Sequence, residues 1–160
     1  MIPEHVAWID PGGMTGIAVY SRPNVPDMQF WCDEFPFHQA CERVERMCDM
    51  YGAVLAVGWE RYTITGQSHK KTPQGQETAL KVIGWCEHMA WKRKCQVLPP
   101  AQQASPSAAE RAALQRLGWW VPGKDDAQSA AAHMLRWMLA SRNAPPHVMA
   151  AMREQGEEAG

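Results

Sequence analysis

The sequence predicts an α/β domain in which a mixed five-stranded sheet is flanked by helices, and three observations carry this prediction. The chain has 160 residues, the size of one domain. Its content of 46% hydrophobic and 21% charged residues is typical of a globular protein. Strand patterns separated by turn residues come first, and helical and extended patterns then alternate. A hairpin meander followed by alternating units is typical of a mixed sheet with helices on its faces.

Three strands are predicted near the N-terminus. Residues 5–10 alternate in polarity and contain β-forming side chains, and a Pro-Gly-Gly turn follows them. Residues 15–20 would return as the second strand of a hairpin. The aromatic-rich run 28–35 would form the third strand.

The remainder alternates between helix and strand. Residues 53–60 form a continuous apolar run, as expected of a strand buried on both faces. Residues 61–76 are polar and lack periodicity, and a loop of this length in a small domain is usually functional. Ser107 and Glu110 have the spacing of a helix capping box. Helices are predicted at 37–51, 77–92, 107–117 and 125–140, and a short strand at 95–98.

Two prolines break the chain after the last long helix. We expect a folded domain over residues 1–144, followed at 145–160 by a short C-terminal helix or a loose tail. The N-terminus lacks the pattern of a signal peptide, and no apolar run approaches 18 residues. The five cysteines have no C-x-x-C spacing, which disfavours a zinc site. These features predict a cytoplasmic protein with reduced thiols and no membrane partner.

Acidic residues stand at the ends of three predicted elements. Asp10 ends the first strand beside a Gly-rich turn, Glu60 ends the buried strand, and Asp126 lies in the first turn of the last long helix. Each has an ordinary explanation, as a turn residue, a solvated strand end and a helix cap, respectively. Together they predict a site, because ligands of open α/β sheets bind at the carboxyl ends of strands.

Three carboxylates brought together in this way predict a site for divalent metal ions. Mg²⁺ takes oxygen ligands, usually one or two carboxylates plus substrate phosphate oxygens. Two such ions about 3.5–4 Å apart can activate a water and stabilise the leaving oxygen of a phosphodiester. The net charge of −1 does not by itself predict a nucleic-acid partner, but bound cations would make this surface more positive.

The run IDPGGMTGIAVY, the strand ending at Glu60 and the stretch LQRLGWWVPGKDDAQSAAAHML resemble the RuvC-type Holliday-junction resolvases, most closely the small bacteriophage members. The resemblance extends over roughly residues 4–140 by the order of elements. It implies a ribonuclease-H-like fold and a homodimer. It also implies symmetrical nicking of four-way DNA junctions with Mg²⁺ or Mn²⁺, two ions per active site. A phage-encoded chain would act in the cytoplasm of the host cell.

The resemblance also implies roles for the acids. Asp10 would bridge both ions, Glu60 would be the second ligand, and Asp126 would be the acid that begins the last helix. The family often has a further acid, or a histidine, three residues before that one. Here Gly123 occupies that place and the acid is displaced to Asp125, for which an N-cap is an equally good explanation.

The loop that follows Glu60 is predicted to contact DNA. Tyr62 would stack on an unpaired base at the junction centre, although packing beneath its own loop is the alternative. Basic side chains of the loop would pair with phosphates, which would make binding salt-dependent, unless the loop is simply solvated. These are Arg61, His69, Lys70 and Lys71.

Two residues near Asp126 have weaker predictions. Lys124 would contact the attacked phosphate or the water, although a solvated turn lysine is the simpler interpretation. His133 follows Asp126 by two helical turns, about 10.5 Å along the axis, which is too far for the same ligand shell. We therefore expect His133 to be a partly buried histidine with a hydrogen-bond partner.

The helix at 77–92 is apolar on more than one face. One face would meet the sheet and another a second copy of the chain, which would place two active sites on opposing strands. Complete burial in a monomer is the alternative.

The sequence thus predicts a structure-selective DNA endonuclease that resolves four-way and other branched DNA by two-metal-ion hydrolysis. A catalytically weak or inactive branched-DNA-binding module is the first alternative, because Gly123 replaces a ligand. The other is a phosphate-loop enzyme of the sugar-kinase and actin type, since DPGGMT resembles its first phosphate loop. Such enzymes need two of these domains, and this chain has room for one.

Overall fold

The computed structural model describes residues 3–22, 29–62, 73–142 and 144–157. These residues contain one five-stranded sheet and five α-helices. The strands are β1 (His5–Asp10), β2 (Met14–Ser21), β3 (Phe30–Pro36), β4 (Leu55–Trp59) and β5 (Gln96–Val97). The helices are α1 (Phe37–Tyr51), α2 (Pro73–Arg93), α3 (Ala108–Arg116), α4 (Asp125–Ala140) and α5 (Pro146–Glu157), with a 3₁₀ helix at Gly52–Val54.

The sheet is mixed, with the strand order β3-β2-β1-β4-β5. β1 is antiparallel to β2, which is antiparallel to β3, whereas β4 is parallel to both β1 and β5. The α/β architecture predicted from the sequence is therefore confirmed. Because β1 and β4 are parallel neighbours, Asp10 and Glu60 come at the same edge of the sheet.

Each face of the sheet packs against its own helices. Val6 and Trp8 of β1 belong to a core formed with α3, α4 and α5, and Ala7 and Ile9 belong to a core formed with α1 and α2. Side chains alternate between faces along a strand, so Asp10 continues the series that points toward α4.

Two boundaries differ from the prediction. The apolar run at 53–60 begins as the 3₁₀ helix Gly52–Val54, and β4 covers only Leu55–Trp59. α2 begins at Pro73, four residues before its predicted start, which shortens the predicted loop at 61–76. Proline suits the first position of a helix, because its fixed φ matches the helix and its missing N–H would have no intrahelical partner there.

The C-terminal segment forms a helix rather than a loose tail. α5 likewise begins at a proline, Pro146, and its Val148 is fully buried in the core beneath α3 and α4. In the described part of the chain no helix combines the length and the apolar content needed to cross a bilayer. All five cysteines are free thiols, and burial raises the pKa of Cys48 to about 12.

Candidate active site

A cleft of about 640 Å³ opens at the carboxyl ends of β1 and β4. The four acids predicted from the sequence, Asp10, Glu60, Asp125 and Asp126, all line it. The Pro-Gly-Gly turn after β1 and residues 103–106 also line the cleft. Acids separated by more than a hundred positions in the chain are thus collected on one surface.

Gly16 allows α4 to approach the end of β1. It lies opposite Asp10 in β1 and opposite Glu34 in β3. A Cβ atom at this position would lie only 1.9 Å from the carbonyl oxygen of Asp126. Because Gly16 has no side chain, the first turn of α4 can lie against β2, between Asp10 and Glu34 on the neighbouring strands.

Glu34 is a residue that the sequence interpretation missed. Its Oε2 atom accepts a hydrogen bond of 3.2 Å from the backbone N–H of Asp126. A carboxylate at this place is also favoured by the positive end of the helix dipole. Glu34 is not among the residues that line the cleft. Its hydrogen bond instead holds the first turn of α4 against β3. The available signal was an acid near the end of a strand, the same signal that identified Asp10.

Glu60 is buried, with 5% of its surface exposed. Its backbone N–H donates to the carbonyl of Ile9 at 2.9 Å, which continues the pairing of β4 with β1. Its Oε2 atom lies 2.7 Å from Nε2 of His133, which is 1% exposed. The interpretation of His133 as a histidine with a hydrogen-bond partner is confirmed, although the side chain is completely rather than partly buried.

Asp125 and Asp126 are the first two residues of α4. The alternative interpretation of Asp125 as an N-cap is wrong, because Lys124 holds that position and makes no capping hydrogen bond with its side chain. Successive helix residues point about 100° apart, yet both acids line the cleft. Gly123 has a φ of +76°, the left-handed conformation that favours glycine in a turn.

The carboxylates suit a divalent cation by their chemistry. Among the residues that the structure describes, no three His, Cys, Asp or Glu side chains lie close enough together to hold a metal ion. Mg²⁺, however, is usually held by one or two carboxylates, and water and substrate phosphates complete its octahedron. The donors present fit a cation whose coordination depends on substrate.

Of the predicted DNA-contacting residues that the structure describes, only Tyr62 lines the cleft. Tyr62 is half-buried and lines the cleft, and Arg61 is exposed beside it. Lys124 is not among the cleft-lining residues and forms an ion pair with Asp33 on the edge strand β3. The hydrogen bond that the Lys124 ammonium donates to the Asp33 carboxylate raises the pKa of Lys124. The predictions for His69, Lys70 and Lys71 fall outside the described residues.

Arg111 and Trp120 also line the cleft, although the sequence interpretation did not select them. The Arg111 guanidinium lies 5.0 Å from the centroid of the Trp120 ring. The neighbouring Trp119 is buried in the core. The available signal was the pair of consecutive tryptophans, of which the fold buries only Trp119.

Comparison with known proteins identifies the fold. No protein-family model matches the chain, and no curated protein matches its sequence. A structure of Thermus thermophilus RuvC in complex with a Holliday junction substrate is similar with a TM-score of 0.54 and 15% identity, over 80% of this chain and 88% of that chain. A second T. thermophilus RuvC structure has a TM-score of 0.51 and 15% identity, over 95% of this chain and 96% of that chain. The mixed five-stranded sheet with its flanking helices thus has the ribonuclease-H-like fold of RuvC.

Proposed function

We propose that the protein is a structure-selective DNA endonuclease that resolves four-way junctions and other branched DNA by two-metal-ion phosphodiester hydrolysis. The observation that carries this proposal is the presence of Asp10, Glu60, Asp125 and Asp126 on one cleft at the carboxyl edge of a ribonuclease-H-like sheet. The similarity to a RuvC structure bound to a Holliday junction substrate supports branched DNA as the substrate class.

Mg²⁺ or Mn²⁺ at this site would supply an activated water and would stabilise negative charge on the leaving oxygen. Asp10, Glu60 and Asp126 would be the residues that hold these cations in the cleft. Asp125 takes the place of the acid that is absent at Gly123. The backbones of Asp10 and Glu60 are held by the pairing of β1 with β4, and sites built on strands are more precise than sites on loops.

The walls of the cleft would bind DNA. Tyr62 and Trp120 supply aromatic rings that can stack on unpaired bases, and Arg61 and Arg111 supply positive charge for phosphates. A surface of this kind favours branched or unpaired DNA over a regular duplex, because stacked bases in a duplex offer no free face to an aromatic ring.

We also propose a homodimer formed through α2. Leu80 and Trp91 are 50% and 77% exposed, which contradicts the alternative of a helix buried in a monomer. Gly84 lies on the same helical face, one turn after Leu80, and a Cβ atom there would meet no atom of the described residues within 4 Å. A second copy of the chain would cover Leu80 and Trp91, and two-fold pairing would present two active sites to opposing strands.

The proposal is tested with a purified four-way junction. The wild-type protein should introduce paired nicks in the presence of Mg²⁺ or Mn²⁺. The Asp10→Asn variant should bind the junction with unchanged affinity but cleave it orders of magnitude more slowly. Asp49→Asn, the same change on the exposed surface of α1, is the control and should cleave normally. Cleavage by Asp10→Asn at the wild-type rate would refute the proposal.

A branched-DNA-binding module without catalysis is the second candidate. It is favoured by Gly123 at the position of an expected ligand, and by the lack of a preformed cluster of three metal-binding side chains in the described part of the chain. Tight junction binding without cleavage at saturating Mg²⁺ and Mn²⁺ would establish it.

Two predictions from the sequence stay predictions. They are the relation to the bacteriophage members of the RuvC-type resolvases and the cytoplasmic location.

A further inference from the structure

We propose that His133 is a positioning residue for Glu60, and that Arg136 and Glu110 hold His133 in turn. His133 would fix one carboxylate oxygen of Glu60, so that the other oxygen is presented to a cation in the cleft. The inference rests on the proposed function, since it assumes that Glu60 is a metal ligand.

The contact between Glu60 and His133 is a buried one. The distance from Oε2 to Nε2 is 2.7 Å, and neither residue is more than 5% exposed. A carboxylate removed from water to this extent is costly unless it is hydrogen-bonded. His133 therefore meets a requirement of Glu60 that solvent cannot meet at this depth.

Arg136 sets the tautomer of His133. Its Nη1 atom lies 3.4 Å from Nδ1 of His133. A guanidinium can only donate hydrogen bonds, so Nδ1 acts as the acceptor and the proton resides on Nε2. The imidazole consequently donates to Glu60. Histidine ligands of metals are oriented by comparable outer contacts, and here the oriented group is a carboxylate.

The imidazole ring is also held from the side of the sheet. The Trp8 ring stacks on it with a centroid separation of 6.1 Å and an interplanar angle of 20°. Trp8 can lie there because its neighbour in β4 is Gly58, at which a Cβ atom would be 2.5 Å from the indole. Contacts with Glu60, Arg136 and Trp8 thus restrain the ring.

Arg136 is itself anchored to α3 and to the cleft wall. Its Nε and Nη2 atoms donate to the two carboxylate oxygens of Glu110 at 2.6 and 2.8 Å. Its Nη1 and Nη2 atoms also donate to the carbonyls of Ala104 and Ser105, at 3.1 and 2.9 Å. Ala104 and Ser105 line the cleft, so one guanidinium joins the partner of Glu60 to the wall of the site.

The test is a Mn²⁺ titration of the DNA-free protein by isothermal titration calorimetry. His133→Leu removes the hydrogen-bond donor and fills the buried space with an apolar side chain. It should weaken Mn²⁺ binding about 10–100-fold. His133→Gln places an amide N–H near the position of Nε2 and should stay within a few-fold of wild type. Arg136→Met should weaken binding in the same direction as His133→Leu. Glu60→Gln, which removes the ligand itself, sets the largest expected loss.

A control separates positioning from packing. Met138→Ala truncates another buried side chain of α4 and should destabilise the fold while leaving Mn²⁺ affinity unchanged. Wild-type affinity in His133→Leu, or an equal loss of affinity in Met138→Ala, would overturn this inference alone. If the wild-type protein binds no Mn²⁺ without DNA, the same variants are compared by the Mn²⁺ concentration that gives half-maximal junction cleavage. A wild-type protein that cleaves at no Mn²⁺ concentration would overturn the proposed function, and this inference with it.

Discussion

Two glycines of the sheet are required because other atoms occupy the space that a side chain would need. Backbone of Asp126 lies over Gly16, and the indole of Trp8 lies over Gly58. Neither glycine has the positive φ that would require glycine for conformational reasons. Their role is steric: Gly16 allows the start of α4 to approach the sheet, and Gly58 leaves room for the Trp8 indole that stacks on His133.

Gly16→Ala should therefore destabilise the protein and displace the start of α4. We expect a loss of about 1–3 kcal/mol in the free energy of unfolding, as for other overpacked interiors. Junction cleavage should fall further than stability alone explains, because Asp126 moves. Denaturant unfolding and cleavage assays measure the two effects. Gly13→Ala is the control for stability, since a Cβ atom there meets no atom of the described residues within 4 Å. Equal stability of the two variants would contradict the steric role.

Trp120 should contribute to junction binding if the cleft holds unpaired bases. Trp120→Ala should weaken binding by about 1–3 kcal/mol, the range for loss of one base–aromatic stack. Fluorescence anisotropy with a labelled junction measures it. Trp31→Ala, which removes a half-buried tryptophan packed against the opposite core, should leave the affinity unchanged. Unaltered binding by Trp120→Ala would remove this residue from the proposed DNA surface.

Among the elements, α3 carries Glu110, and the ion pair of Glu110 with Arg136 makes the stability of the fold sensitive to acid. Its capping box is complete, with the Ser107 hydroxyl accepting from the Glu110 N–H and the Glu110 carboxylate accepting from the Ser107 N–H. Burial alone would raise the pKa of Glu110, but hydrogen bonds from Arg136 and Ser107 outweigh it and lower the value from 4.5 to about 2. The ionised carboxylate is thus strongly favoured by folding.

This depressed pKa predicts how stability depends on pH. A carboxyl whose pKa is lowered on folding contributes stability above its unfolded pKa, and the contribution is lost as the pH falls toward the folded value. The contribution of Glu110, roughly 3 kcal/mol, should therefore disappear between pH 4.5 and about pH 2. Glu110→Gln should be less stable than wild type at pH 6, and the difference should shrink with acid in urea unfolding. A constant difference would refute the linkage.

Elements were predicted well where local chemistry decides them and less well where packing does. The Ser107–Glu110 box specifies the start of α3 because its hydrogen bonds are made within one turn. The start of α2 at Pro73 was missed because the polar residues before Glu77 show no apolar periodicity. Ala53 and Val54 of the 3₁₀ helix are apolar like the strand that follows them, but Gly52 at a φ of +51° turns the chain before β4 begins.

For the whole molecule, the exposed Leu80 and Trp91 side chains of α2 predict the oligomeric state. Gly84→Arg should give a monomer, because it places a long charged side chain in the centre of the proposed interface, at a position where the described part of the chain leaves room for a Cβ atom. Light scattering after size-exclusion chromatography measures the mass. Paired nicking should give way to single nicks. Gln115→Arg, an exposed position on α3, is the matched control and should remain dimeric. A monomeric wild-type protein would exclude this interface.

The sequence by itself determined the order of the elements, the mixed α/β class and the strand and helix ends that carry Asp10, Glu60 and Asp126. These follow from hydrophobic periodicity and turn chemistry, which act over a few residues. Only the tertiary structure decided that Glu34 fixes the start of α4, that Arg111 and Trp120 face the cleft, and that His133 links Glu60 to Arg136 and Glu110. Such contacts join residues far apart in the chain. Which residues meet depends on how the elements pack, including the space that Gly16 and Gly58 leave for their neighbours.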